Sequence, residues 1–291
     1  MWQHLHQLLN QIRTTKRTFW VVPMLWLLLL TGCGKFSRLQ KSTDINEKYA
    51  GALDYYNRKD YFRAGTLLDE IIPLLKGNEN YEKSQLYYAY CKYYMKELIL
   101  SAYYFKTFYE TFPRSAFAEE AYYMYCLSMV EDSPEYNLDQ SNTLTAIDAI
   151  QSFVRQYPEN EKREQIQSLI GQLRFKLERK AFENAKLFYQ KEDYKAALIA
   201  LENFRKDFPD SEYNEEAAYL RIVNQYNFVE NSVESKRNDR LSDLMDMYEA
   251  FVDNYPKSKF IRDAESYYTF AAKALNRKPE PTAEVEPSSK R

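Results

Sequence analysis

Histidine is almost missing from this chain. Its 291 residues include two, His4 and His6, both upstream of an apolar stretch that reads as a cleavable signal. A chain cut after that stretch has no histidine. This excludes Ser-His-Asp triads, histidine general bases and histidine metal ligands together. Glycine is scarce too: there are six, none between Gly77 and Gly171, so no glycine-rich loop is available to cradle a phosphate. Few glycines beside 16% aromatic residues suit packed helices and not an all-β fold. No basic stripe is present. The formal charge is −2, and removing Arg13, Lys16 and Arg17 takes 40 Lys+Arg to 37 against 42 Asp+Glu, a net of −5. Nucleic acid is therefore not an expected partner. The carboxylates fall in runs such as Glu119-Glu120 and Glu215-Glu216, which read as solvated helix faces. No catalytic residue, metal site or cofactor is expected. A metal held by carboxylates alone is the most distant alternative.

The first 32 residues have their own grammar. Arg13, Lys16 and Arg17 form a basic region, and Phe19–Leu30 is an apolar run of signal-peptide length, short for a membrane span. It ends Leu30-Thr31-Gly32-Cys33, which looks like a bacterial lipobox. Lipoproteins of this kind are cleaved before the cysteine and carry acyl chains on it, and several chains hold a protein stably on a bilayer. An ordinary signal peptide with a chance cysteine, or an uncleaved anchor, are the alternatives. The expected organisation is a signal peptide over 1–32, a lipidated tether over 33–43 because Gly34–Thr43 shows no periodicity, a folded array over 44–275, and a Pro- and Glu-rich disordered tail over 276–291.

Within the array one sentence recurs. Tyr194, Ala197, Leu201 and Phe204 share a helix face. Phe208-Pro209 then breaks the helix, since a residue before proline is driven out of the α region. Ser211 reads as the N-cap of the next helix. Phe112-Pro113 and Tyr255-Pro256 repeat the break with its following serine, and the rings of Phe208 and Tyr255 are expected to be buried between successive pairs. Tyr157-Pro158 keeps the break but has Glu-Asn after it. Near the start, Tyr61, Ala64, Leu68 and Ile71 repeat the spacing, with Leu75 at the break position and no proline. Aligned on Ile71, Phe108, Phe153, Phe204 and Phe251, the steps are 37, 45, 51 and 47 residues. Helix pairs recurring at such intervals signal an α-solenoid. The pairs fall roughly at 44–58 with 60–76, 81–96 with 98–112, 115–131 with 143–157, 161–190 with 193–208, and 213–234 with 238–255. A closing helix follows at about 258–276, and 132–142 is an inserted loop.

These residues resemble the tetratricopeptide (TPR) repeat, which sets an aromatic, a small residue, an aromatic and a proline along each second helix. Tyr194, Ala197, Leu201 and Pro209 stand at those places, as do Tyr61, Ala64 and Leu68. The usual glycine before the second helix is replaced by Lys59 and Glu192. Beyond Cys33 two cysteines remain, Cys91 and Cys126, at matching places in QLYYAYC and EAYYMYC. Neighbouring helix axes lie about 8–10 Å apart, wider than a disulfide prefers, so two buried thiols are favoured over a bridge.

Tyrosine numbers 27 and often comes in pairs: Tyr55-Tyr56, Tyr87-Tyr88, Tyr122-Tyr123, Tyr267-Tyr268. Adjacent helical residues point about 100° apart, so one ring is expected in the core. The other either snorkels or lines a concave groove of the first helices. Tyr49, Leu53 and Tyr56, spaced four and three apart, form a candidate peptide-binding stripe. They suit an extended, aromatic-ended peptide.

A lipobox followed by about five long TPR-like pairs resembles the BamD (YfiO/ComL) family of outer-membrane assembly lipoproteins. The likeness runs over residues 44–275 and is clearest in RKAFENAKLFYQKEDYKAALIALENFRKDFPDSEYNEEA and LDQSNTLTAIDAIQSFVRQYP. It implies an all-α, right-handed α-solenoid of about five TPR-like pairs plus a closing helix, with no catalysis. It also implies attachment to the outer membrane on the periplasmic side. The implied partners are a BamA-like barrel protein, other assembly lipoproteins and unfolded outer-membrane proteins. The runner-up is a different TPR lipoprotein adaptor in envelope or peptidoglycan coordination. Cys33 is expected to carry the lipid: a fatty-acid probe fed to cells should label the protein, and Cys33→Ser should abolish the label. Label surviving the substitution would refute the lipobox reading.

Overall fold

The structure, a computed structural model, describes residues 32–276, with side chains from Gly34 onward. The signal segment 1–31, the Cys33 side chain and the tail beyond 276 lie outside the described residues. The fold is all-α: the described residues form twelve α-helices and no strand. They are α1 (Gly32–Lys41), α2 (Ile45–Asn57), α3 (Tyr61–Ile71), α4 (Asn80–Tyr94), α5 (Leu98–Thr111), α6 (Ala118–Asp132), α7 (Ser141–Gln156), α8 (Arg163–Gln190), α9 (Tyr194–Asp207), α10 (Asn214–Glu230), α11 (Glu234–Asn254) and α12 (Ile261–Leu275). A 3₁₀ turn, Ile72–Leu75, extends α3. Two compact units divide the chain. One holds residues up to Ser133 together with Ser141–Leu169; the other holds Pro134–Gln140 and the residues from Ile170 on.

In the first unit, helices adjacent in sequence pack as TPR-like pairs, α2 with α3, α4 with α5 and α6 with α7. Short turns make them antiparallel: Lys48 near the start of α2 pairs with Glu70 near the end of α3 at 2.6 Å. Asp44 accepts from the Asn46 and Glu47 amides and Asp60 from the Arg63 amide, capping α2 and α3. The core of the first pair holds Ala52, Tyr55, Ala64, Leu67, Leu68, Ile71 and Leu75, closed by Tyr88 and Cys91 of α4. Small residues allow this. A Cβ added at Gly65 would meet Cys91 Cβ at 3.4 Å, so α3 approaches α4 closely. In the second unit, Phe182 and Ala185 of α8 pack with Leu201, Phe204 and Ala217. Ile222, Leu241, Leu244, Phe251, Ala264 and Ala271 form the core of α10–α12.

The positions where TPR repeats carry glycine are left-handed here despite holding side chains: Lys59 has φ 63°, Lys96 62° and Glu192 59°. Each lets the chain reverse between the two helices of a pair. The long polar side chains at these turns reach solvent, and the strained backbone costs about 1–2 kcal/mol each.

The aromatic-Pro breaks share one geometry. Phe112, Phe208 and Tyr255 end their helices at φ −120°, −130° and −131°. Their amides, with that of Tyr157, donate to the carbonyls of Phe108, Phe204, Phe251 and Phe153 at 2.8–2.9 Å. The serine acts one turn earlier than expected. Ser211 does not cap α10: its Oγ accepts from the Tyr213 amide at 3.3 Å, inside the turn before the helix, as Ser115 and Ser258 do for Phe117 and Phe260. Asn160 performs the same task toward Lys162, so the Glu-Asn junction is an equivalent turn. The side chain also ties first helices together. Ser258 donates to Glu215 at 2.6 Å, Ser115 to Glu82, and Asn160 to Glu119.

Two expectations need correction. The break rings Phe112, Tyr157, Phe208 and Tyr255 are half-buried, and Pro113, Pro158, Pro209 and Pro256 are exposed. The ring preceding each, such as Phe204 or Phe153, is the buried one. The prolines dictate backbone and do not pack. The second correction concerns 33–43. It is not a slack tether: Gly32–Lys41 is helix α1, docked on the first pair. Leu39 is 3% exposed and sits where Gly51 has no side chain; a Cβ there would lie 2.6 Å from Leu39 Cδ1. The edge of the Phe36 ring meets Tyr55 at 5.8 Å, and Lys35 pairs with Asp54 at 3.0 Å.

Half-burial sets the energetics of the junction. In urea melts Phe208→Ala should cost about 2 kcal/mol, below the roughly 3–5 kcal/mol expected for Phe204→Ala at a fully buried ring. A larger loss at Phe208 than at Phe204 would invert this assignment.

Candidate functional site: a tyrosine groove in the first unit

The first helices of the first unit present a groove of ≈ 430 Å³ lined by Tyr56 of α2, Lys83, Leu86, Tyr87, Tyr90 and Tyr94 of α4, and Phe117 and Glu120 at the start of α6. The α4 residues follow helical spacing, so one face of that helix forms the main wall. Its rings hold one another in place. Tyr56 meets Tyr87 edge-on at 4.8 Å and Tyr61 at 5.6 Å, Tyr61 stacks on Tyr94 at 4.5 Å, and Tyr90 abuts Phe105 at 4.9 Å. The Tyr90 hydroxyl donates to Glu120, and Tyr93 donates to Glu131, which also pairs with Lys96 at 2.6 Å. Such rings offer contact area with little rotamer entropy left to lose.

Of the stripe Tyr49, Leu53 and Tyr56, the structure brings Tyr56 into the groove wall. All three are half-buried. Tyr49 packs against the core of the first pair, and its phenol is pushed up by burial, then by Tyr87 and Glu79. The α4 wall was missed. Its signal was legible as Leu86, Tyr87, Tyr90 and Tyr94 at i, i+1, i+4 and i+8 in LYYAYCKYY. The tyrosine pairs split as expected in the first two helices, with Tyr55 and Tyr88 buried and Tyr56 and Tyr87 facing the groove. In α6 the split fails: Tyr122 and Tyr123 are both buried. Tyr109 of α5 stacks on Tyr122 at 4.2 Å, while Lys162 lies 4.7 Å from the centre of Tyr123, so both faces of α6 are covered.

The second unit has a smaller cavity of ≈ 240 Å³ lined by Arg205, Ala218, Arg221, Asp246, Met247, Ala250 and Phe251. Glu202 accepts from Arg221 at 2.9 Å. Burial lowers the Arg221 pKa and Glu202 partly restores it. Among the described residues no group of three or more His, Cys, Asp or Glu could hold a metal ion. No described helix is long and apolar enough to cross a membrane.

The family model YfiO, described as outer membrane lipoprotein, matches residues 41–192 and 176–285. This chain belongs to the YfiO family. No curated protein matches it. The matched residues take in every TPR-like pair of this YfiO chain, including the three first helices that line the groove. Helix α1 lies almost wholly ahead of them. Membership makes the protein an outer membrane lipoprotein.

Burial holds several acids of the first unit protonated. Cys91 and Cys126 are free and fully buried, and burial raises the Cys91 thiol to about 12 against a small opposing pull from Lys92. Burial likewise raises Tyr56 and Tyr90, the latter helped by its bond to Glu120. Each folded-state pKa lies above the unfolded value. The stability these groups add is therefore complete below about pH 8.5 for the thiols and about pH 10 for the phenols, and is lost as pH rises from there. The urea midpoint should stay level through neutral pH and fall steadily above about pH 9. Both thiols should ignore a disulfide reagent at pH 8 until the chain unfolds; rapid native labelling would place them at the surface.

Proposed function

We propose that this chain is a lipid-anchored, non-enzymatic scaffold on the periplasmic side of the outer membrane, receiving unfolded outer-membrane proteins in the tyrosine groove. The groove carries this reading. It is open, preformed and largely aromatic, with one cation, Lys83, and one anion, Glu120, beside the rings. That composition fits an extended segment bearing an aromatic side chain, gripped by ring packing and phenol hydrogen bonds. Tyr49 and Leu53 are proposed to extend the contact along α2 from Tyr56. A BamA-like barrel protein and other assembly lipoproteins are the proposed partners of the remaining surfaces, in keeping with YfiO membership. The folded region proposed for this work is 44–275, with 1–32 as its signal.

The test is Tyr56→Ser, Tyr87→Ser and Tyr94→Ser combined, measured against peptides from the C-termini of outer-membrane barrel proteins. Affinity should fall at least about tenfold, or about 1.4 kcal/mol, with helicity retained by circular dichroism. Unchanged affinity in a folded variant would put the client site elsewhere.

A further inference from the structure

Helix α1 leaves almost no chain between the lipid-bearing position and the fold. It runs antiparallel to α2. Lys35 pairs with Asp54 at 3.0 Å, Arg38 with Glu47 at 3.9 Å, and Leu39 seats at Gly51 between them. Continuing that register carries Cys33 toward the C-terminal end of α2 and the turn into α3. From Cys33 to Phe36 the rise is only about 4.5 Å. The Phe36 ring already lies 5.7 Å from the guanidinium of Arg63, in the first turn of α3. Acyl chains on Cys33 would therefore enter the bilayer beside that turn.

The same edge of the first unit is apolar at its tips. Antiparallel neighbours alternate direction, so the N-termini of α3, α5 and α7 share one edge. Just past them stand Phe62, 69% exposed, Ile99, 69% exposed, and Leu144, 53% exposed, each in the first turn of a second helix. Leu100 is exposed beside Ile99. Arg58, Lys59 and Lys96 occupy the turns, but Asp54 holds Arg58 at 2.8 Å and Glu131 holds Lys96 at 2.6 Å. Charge there is largely balanced. Apolar tips spaced along one edge, beside an acyl anchor without slack, have the makeup of a surface that lies in a membrane interface.

We propose that this edge of the first unit seats directly on a glycerophospholipid bilayer, with Phe62 and Ile99 entering the interface and α1 acting as the rigid link that sets the seating. The proposal rests on the lipoprotein reading of Cys33. It makes the first pair a fixture of the membrane surface, where a swinging tether would let it roam.

The sequence supplies a clean probe. Its three tryptophans are Trp2, Trp20 and Trp26, so a chain beginning at Cys33 has none. Acylated Phe62→Trp, Ile99→Trp and Leu74→Trp proteins would each carry a single indole. Leu74 is 64% exposed but lies at the far end of α3. The probe is phosphatidylethanolamine–phosphatidylglycerol vesicles containing lipid brominated along its acyl chains. The Phe62→Trp and Ile99→Trp variants should lose about half or more of their fluorescence, and Leu74→Trp about a tenth or less. The loss should persist in high salt, because the seating is apolar. Adding Leu39→Asp to Phe62→Trp should undock α1 and remove the quenching while the protein still floats with vesicles. Floating protein with an unquenched Phe62→Trp indole would overturn the proposal alone and mark the edge as facing a protein or solvent. Quenching that survives Leu39→Asp would overturn the role of α1. Protein that fails to float at all would overturn the lipoprotein reading, and the proposal with it.

Discussion

Four of the five described helix pairs are closed by an aromatic residue that cannot continue its helix, and the repeat geometry depends on that stop. Proline at the next position drives Phe112, Tyr157, Phe208 and Tyr255 out of the α region, while their amides still reach back to the helix they leave. A polar residue three positions after each aromatic then fixes the exit. Ser115, Asn160, Ser211 and Ser258 accept from the amide two residues later, and three of them also donate to a glutamate near the start of the preceding first helix. A serine or asparagine supplies both an acceptor and a donor, so one short side chain orders the turn and spaces the first helices. Glu119 and Glu215, in runs that read as solvated helix faces, thus have a structural partner.

The spacing of first helices is what opens a groove, and tyrosine is the residue that can line it from both sides of the core boundary. Tyr88 is buried and Tyr87 next to it faces the groove, so a single dipeptide supplies packing and a contact surface. Glu120 accepts a hydrogen bond from Tyr90 in the wall, Glu131 accepts one from Tyr93 on the same helix, and burial holds both phenols in the neutral form. The surface is apolar in area and polar at its tips. That combination allows an exposed patch to remain in solution without collapsing on its neighbours.

The repeat framework was readable because its signals are local. An aromatic-Pro break and the aromatic and alanine of a helix face each act within a few residues. The groove was harder. Tyr49, Leu53 and Tyr56 form as good a stripe as Leu86, Tyr87, Tyr90 and Tyr94, and only the neighbouring helices decide which stripe stays open. Tyr49 is drawn toward the core of the first pair, and in α6 even a tyrosine pair is buried whole. Helix α1 was invisible for another reason. Phe36 and Leu39 are too few to make a period, and the site that receives them is defined by what Gly51 lacks. Absence of a side chain leaves no periodic trace. The left-handed turns were half-legible: the missing TPR glycines at Lys59 and Glu192 could be seen, but not that the backbone would keep the glycine conformation without them.

Retaining that conformation has a physical consequence. A left-handed lysine or glutamate is strained by about 1–2 kcal/mol, and glycine would relieve it, yet glycine would also loosen the turn in the unfolded chain. What lysine adds is a long side chain at the one edge where the turns of the first unit emerge. Lys96 spends its charge on Glu131, which in turn holds Tyr93, so the strained turn is wired into the first-helix tyrosine array. Lys59 stands at the corresponding turn of the pair that α1 clamps. The matched family residues begin at 41, so α1 lies almost wholly ahead of the matched span. The two parts are physically separate: the groove is lined by residues of α2, α4 and the start of α6, while α1 packs on α2 through Lys35, Phe36 and Leu39.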